Sequence, residues 1–297
     1  MRVNPNPLPD LLATLAEDQQ RINTDLEEIA SGRSVNAPSD NPASAAMLVQ
    51  NADQTSQVDQ YLRSIGSVQS ELQNADSTLS SVTAVLQRAI SLGTEGANGT
   101  LNIADRQAIA VEVQGIQTQM VSLANLSYQG SFVFAGTATQ TAPYVLDSTS
   151  PSGVRYVGNS EVNNLTLGDH FSVQTNLPGS QLFSSPGHDV FQGLQDLITN
   201  LQSGNAAGIG TAVSEVSNAY NYINAQRVFY GNAVNQLNSQ QTYLQSDSTQ
   251  LAQQQNTFGG ADLASVIGNL QNEQTSRQAA LEAVANNLQT DLFNYLK

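Results

Sequence analysis

The sequence predicts a mainly α protein: a long antiparallel, coiled-coil-like helical bundle formed by N- and C-terminal segments, with a small β-rich domain inserted between them. Three observations carry this. Apolar residues recur at intervals of seven over long stretches towards both ends. Short β-type runs occur only between about residues 131 and 183. Glycine and proline breaks interrupt both helical ends at mirrored places, around Gly32 and at Gly259-Gly260.

Taken in order, residues 10–30 read as a helix capped by Asp10, with Leu11, Leu15, Ile22, Leu26 and Ile29 on one stripe. The segment 31–42 breaks it, and Asn41-Pro42 restarts a helix, with Asn at the cap and Pro at the first helical position. The helix predicted over 42–92 carries Val58, Ile65, Leu72, Leu79 and Leu86 at one seam position. Tyr61, Val68, Ala75, Val82 and Ala89 occupy the other. At about 1.5 Å per residue it would be roughly 75 Å long. Gly93, Gly96 and Gly99 are expected to end it, and a shorter antiparallel helix follows over about 102–129, with Ile109, Val113, Ile116, Met120 and Leu123 as its stripe.

From Gly130 the period changes. The runs 131–136, 143–146, 154–158, 165–168 and 171–174 read as strands separated by turn residues. A helix over about 189–203 then carries Val190, Leu194, Leu197, Ile198 and Leu201. The next, over about 205–257, repeats Val216, Ile223, Tyr230, Leu237, Leu244 and Leu251, while its companion positions turn polar from Arg227 to Gln241 and Gln255. Beyond Gly259-Gly260, Asp262 caps a last helix to about 295, with Leu263, Ile267, Leu270, Leu281, Leu288, Leu292 and Tyr295 along one stripe. The expected domains are 1–31 with 262–297, a terminal-helix assembly domain; 32–130 with 185–261, the bundle; and 131–184, the insert. Each terminal helix has one apolar stripe and little local partner surface, so both are expected to be marginal or disordered in the monomer.

Composition narrows the function. The 297 residues hold 25 acidic and 10 basic side chains, a net charge of −15. The basic residues are scattered, so the clustered cations that nucleic-acid binding needs are missing. There is no cysteine, which excludes disulfides, thiolate zinc sites and a cysteine nucleophile. No apolar run reaches transmembrane length, so no membrane insertion is expected. The residues after Met1 do not form a secretory-signal core, though export by another route stays open. His170 and His188 are the only histidines and read as exposed loop residues, and Glu27, Glu28 and Glu112 as carboxylates on solvated helix faces. The glycines at 93, 96 and 99 lack the strand and lysine of a phosphate loop. No catalytic, metal or cofactor-binding constellation emerges, and an enzyme is not expected.

The run Ile29-Ala30-Ser31-Gly32-Arg33-Ser34-Val35-Asn36-Ala37-Pro38-Ser39-Asp40-Asn41-Pro42-Ala43 resembles the "LSSGxRINxPSDDPxxA" signature of the flagellin superfamily, with Ala30 for Ser and Asn41 for Asp. Its Pro-Ser-Asp-x-Pro form leans to the hook–filament junction branch, hook-associated protein 3. Met1-Arg2-Val3, the Leu123-Ala124-Asn125 to Phe134-Ala135-Gly136-Thr137 segment, and the 270–280 and 292–296 segments resemble that branch too. Residues 150–185 match nothing specific. The resemblance implies terminal helices ordered on polymerisation, a helical domain and an outward β domain. It also implies partners: hook-associated protein 1 on the hook side, flagellin on the filament side, copies of the chain in a ring, and an export chaperone for a type III route to the cell exterior. A short flagellin, or a helical secretion-tip or signalling module, stays open at this point.

The candidate assembly interface comprises Leu11, Leu15, Ile22, Leu26, Ile29, Leu270, Leu281, Leu288, Leu292 and Tyr295, whose stripes need partners. Arg33 is equally a ligand for a neighbouring subunit's carboxylate or a solvated cation. Asp40 reads as a helix cap that helps fix the turn between terminal and long helices.

Overall fold

The computed structural model describes residues 8–168 and 171–295, with the backbone alone for residue 8 and for 287–295. Seven helices occur among them: α1 (Leu8–Ser31), α2 (Pro42–Gly96), α3 (Ile103–Ala124), α4 (Gly179–Leu182), α5 (Val190–Ser203), α6 (Ala206–Gly259) and α7 (Leu263–Tyr295). Six short strands lie between α3 and α4: β1 (Ser127–Tyr128), β2 (Ser131–Phe132), β3 (Tyr144–Leu146), β4 (Val154–Tyr156), β5 (Asn164–Leu167) and β6 (Phe171–Gln174). The fold is mainly α with a small β region, as the periodicities predict. The described chain divides into two compact units, Met1–Asp59 with Gln245–Lys297, and Gln60–Leu244. Residues of α2 and α6 occur in both.

In the unit of residues 60–244, the heptad positions form the core. Ile65, Leu72, Leu79 and Leu86 of α2 and Val216, Ile223, Tyr230 and Leu237 of α6 are at most 1% exposed. The two helices are antiparallel. Gln69 Nε2 donates to Asn238 Oδ1 at 2.9 Å, and Arg227 pairs with Asp76 through bonds of 2.8 and 3.0 Å. As numbers rise on α2 they fall on α6. Two polar companion positions of α6 thus bond across to α2: Arg227, and Gln241, which accepts from Gln69 Nε2 at 3.3 Å.

Gly93 does not end α2 but lies inside its last turns, Gly96 is its last residue, and both let neighbouring helices come close. A methyl group at Gly93 would collide with Val213 and Leu197, and one at Gly96 with Leu201. The helix ends after Gly96, where a buried arginine collects the free carbonyls. Arg106 donates from Nε to Gly96 O (3.0 Å), from Nη2 to Asn98 O (3.0 Å) and from Nη1 to Gly204 O (2.9 Å). One side chain so closes the C-terminal ends of both α2 and α5, and it is only 9% exposed.

α3 is shorter than predicted. Asn102 caps its start, accepting from Asp105 N at 2.9 Å. It stops at Ala124 because Asn125 is committed elsewhere: its Nδ2 donates to Tyr144 O (2.7 Å) and its Oδ1 accepts from Tyr144 N (2.8 Å). This amide pair replaces a strand neighbour for β3. Asp189 caps α5, and Gly204 closes it in a left-handed conformation.

The insert is three separate antiparallel pairs, β1–β2, β3–β4 and β5–β6, each with its own register. Of the predicted run 131–136, only Ser131–Phe132 is strand; Phe134 and Ala135 are fully buried instead. An aromatic cluster gathers here. Tyr144 meets Phe191 of α5 at 4.9 Å, Tyr156 at 5.1 Å and Phe183 at 5.9 Å, and Phe183 packs edge-on to Phe134 at 5.2 Å. His188 is not an exposed loop histidine: it is half-buried and stacks on Tyr222, with ring centroids 4.6 Å apart and planes 3° from parallel. His170 lies outside the described residues.

Candidate assembly interface

In the unit of residues 1–59 and 245–297, α1 starts two residues before the expected cap. Asp10 therefore sits in the first turn, where its charge complements the helix's positive end. Gly32 ends α1 at φ +69°, donating its N–H to Glu28 O at 2.8 Å. A β-carbon would be strained at that φ. At the other break, Gly260 N bonds back to Asn256 O (2.8 Å) and Asp262 caps α7, accepting from Ala264 N and Ser265 N.

The two breaks lie side by side. Ser34 N donates to Gly259 O (2.9 Å), Ala261 N donates to Gly32 O (3.1 Å), and Arg33 and Gly260 form an antiparallel bridge. Sequence periodicity located both glycine breaks but carried no sign that they join. Nearby, Asn51, 4% exposed, donates to Leu251 O at 3.0 Å and fixes the local antiparallel register of α2 and α6. Beside the joined breaks is a cavity of about 480 Å³, lined by Gly32, Arg33, Leu48, Val49, Asn256 and Gly260 among others. Val49 is 65% exposed, and Arg33 is the cation on the rim.

Asp40 is not the cap of α2. Its Oδ2 accepts from Asn36 N (3.0 Å) and Ala37 N (2.7 Å), tying up the turn behind it, and the cap falls to Asn41, which accepts from Ser44 N at 3.1 Å. The backbone bonds from Ala37 and Asn36 hold the Asp40 carboxyl below its usual range.

α1 packs against α7. Ile22 and Val266 are buried in the seam, and Leu11, Leu15, Ile29 and Leu270 are half-buried. Leu26 and Leu281 stay nearly half exposed, as do Leu12, Leu263 and Ile267. The pairing thus covers part of each stripe and leaves the rest in solvent. The side chains of Leu288, Leu292 and Tyr295 lie outside the described residues.

The seam also holds carboxylates that the helix-face reading missed. Asp18 is buried, and Asp25 Oδ2 and Glu273 Oε2 are buried with no hydrogen-bond partner. Burial, then the charge of Asp25, raises the Glu273 carboxyl above its ordinary value, with Asp18 adding and Arg21 opposing. Glu28, read as solvated, is half-buried, and burial followed by Asp25 and Asp40 raises it as well. Among the described residues no group of three or more His, Asp or Glu converges as a metal site, and no helix is long and apolar enough to cross a membrane.

Known proteins resemble parts of this chain in sequence and in fold. Residues 9–139 fit the model of the bacterial flagellin N-terminal helical region. The similarity to the flagellin helical region covers less than half of the chain. Flagellar hook-associated protein 3 of Escherichia coli K12 is 31% identical over 160 residues, 54% of this chain. The aligned stretch is 49% of that relative, so the chain spans about half the length of the relative it matches. A solved flagellar hook-associated protein from Vibrio parahaemolyticus shares the fold at a TM-score of 0.69 and 20% identity, covering 74% of this chain and 100% of that one. FlgL of Bacillus cereus does so at 0.58 and 23%, covering 71% of this chain and 99% of that one. In this chain the run of residues 29–43 holds the end of α1, the backbone bridge of Arg33 and the capped start of α2.

Proposed function

We propose that this chain is a non-enzymatic structural subunit of the bacterial flagellum that joins the hook to the flagellin filament. The observation that carries the reading is the α1–α7 pair. It buries one edge of each apolar stripe and leaves Leu12, Leu26, Leu263, Ile267 and Leu281 at 45–50% exposure. Monomeric proteins rarely leave such a row uncovered without a partner.

On this reading residues 1–31 and 262–297 form the assembly domain, stable only when neighbouring subunits cover those positions. Residues 32–130 with 185–261 form the helical spacer, and 131–184 face outward. The partners are copies of the chain in a ring, hook-associated protein 1 on the hook side and flagellin on the filament side. Export runs through the flagellar type III route with a chaperone. Arg33 and Asp40 act at the hinge, Arg33 through a neighbour's carboxylate and Asp40 by fixing the turn.

The experiment is deletion of the gene followed by electron microscopy of the cells. Hooks without filaments, with flagellin lost to the medium, are expected; normal filaments would contradict the proposal. Because the matched helical region is that of flagellin, a short flagellin is the second reading. It predicts that the purified chain polymerises alone into long filaments.

A further inference from the structure

We infer that Asn98 is a site of spontaneous backbone modification, converting to aspartate and isoaspartate through a cyclic imide in the turn between α2 and α3. Asn98-Gly99 is the one Asn-Gly pair in the sequence. Cyclisation needs the following backbone nitrogen to reach the asparagine side-chain carbon. A residue without a β-carbon offers the least obstruction to that approach, and helix or strand geometry forbids it. Here Asn98, Gly99 and Thr100 are exposed and lie outside helix and strand, and the space where a β-carbon of Gly99 would sit is open.

The amide is also held and polarised. Asn98 Oδ1 accepts from Thr100 N at 3.2 Å and from Thr100 Oγ1 at 3.0 Å. Two donors on that oxygen draw electrons from Cγ and stabilise the oxyanion that forms when it is attacked. Gly99 N bonds to Cγ, the Cγ–Nδ2 bond breaks, and ammonia leaves, carrying the proton that Gly99 N loses. Water then opens the imide at either carbonyl, giving aspartate or isoaspartate and one added negative charge. Two asparagines followed by serine are better guarded. Asn159 is pinned at both side-chain atoms, accepting from Thr137 N and donating to Thr137 Oγ1, and Asn238 lies inside α6.

The consequence falls on Arg106. The Asn98 carbonyl is one of the three that its guanidinium holds, and it also accepts from Leu101 N at 3.2 Å. In isoaspartate the main chain runs through Cβ and Cγ, so the path to Gly99 is one methylene longer and the carbonyl held by Arg106 and Leu101 N becomes a free carboxylate on a branch off the chain, no longer part of the turn. Conversion would therefore loosen the shared closure of α2 and α5, while a plain aspartate would keep the backbone path.

The test is a time course of the full folded chain in mild alkali, followed by peptide mass spectrometry and by labelling with an isoaspartate-specific methyltransferase. Conversion at Asn98 is expected about tenfold ahead of Asn159 and Asn238, and Gly99→Ala is expected to slow it by about tenfold. Gly99→Ala meets no atom and no positive φ, so a folding defect does not confuse the result. Hydrogen exchange over residues 97–104 should rise in the isoaspartate form and stay near the parent in Asn98→Asp. An unchanged Asn98 in the folded chain, while a free peptide of residues 95–102 converts, would overturn the inference. So would earlier conversion at another asparagine.

Discussion

At the residue scale, a few side chains hold ends that periodicity leaves open. Arg106 satisfies three carbonyls from α2, the following turn and α5. Arg106→Met keeps much of the bulk and strands those carbonyls, and a loss of about 3 kcal/mol is expected, read by urea denaturation. Asn125→Ala removes both bonds to the Tyr144 backbone and should cost about 2 kcal/mol on the same measurement. Asp40 behaves differently because it is a lowered, exposed carboxylate. Its folded-state pKa lies below the unfolded one, so its contribution is present above the unfolded value and lost as pH falls through the folded value. Hydrogen exchange at Asn36 and Ala37 should rise over that acid range in the parent, and Asp40→Asn should show the raised exchange already at neutral pH. The roles of Arg106 and Asn125 were not legible in the sequence, whereas the turn-fixing role of Asp40 was. Arg106 reaches Gly204 and Asn125 reaches Tyr144 only through the fold, and the capping part of the Asp40 reading fails because Asn41 takes that bond.

At the element scale, the long helices were the most legible part. A seven-residue apolar repeat has one packing solution over many turns, and the positions it marks, from Ile65 to Leu86 and from Val216 to Leu237, are buried. Gly93 was misread because composition cannot separate a helix breaker from a close approach. Gly93→Ala would force a methyl into Val213 and Leu197, and about 1–3 kcal/mol of destabilisation is expected in thermal unfolding. The insert was legible as β, but not as three separate hairpins, because the pairing partner of a three- or four-residue strand is not encoded in its own alternation. In the α1–α7 seam, Glu273 is raised by burial and by Asp25. The groups facing it are Glu17, Asp18, Arg21 and Asp25 on α1, with Arg277 a turn away on its own helix. A carboxyl raised in the folded state binds its proton more tightly there than in the unfolded chain. The pairing is therefore weakened at neutral pH and strengthened as pH falls towards the raised value. Exchange protection of residues 22–28 should rise on mild acidification, and Glu273→Gln should give much of that gain at neutral pH.

At the scale of the whole molecule, the account rests on incomplete burial. Each terminal helix spends part of its apolar stripe on the other and leaves part for a neighbour. Exposed apolar residues contribute little to the free chain, so Leu26→Ser with Leu281→Ser should shift its stability by no more than about 0.5 kcal/mol per site. The same pair should abolish incorporation at hook tips, scored by immunogold microscopy. The stripes were visible in the sequence as periodic leucines and isoleucines beyond glycine breaks. Which of them face inward was not, since Ile22 and Leu26 share one repeat yet differ from buried to half exposed. The direct measurement is hydrogen exchange of α1 and α7 in the free full-length chain and in subunits assembled on isolated hook–filament junctions. The account predicts fast exchange at both helices in the free chain and strong protection on assembly, with residues 60–244 protected in both. Equal, strong protection of α1 and α7 in the two states would contradict it.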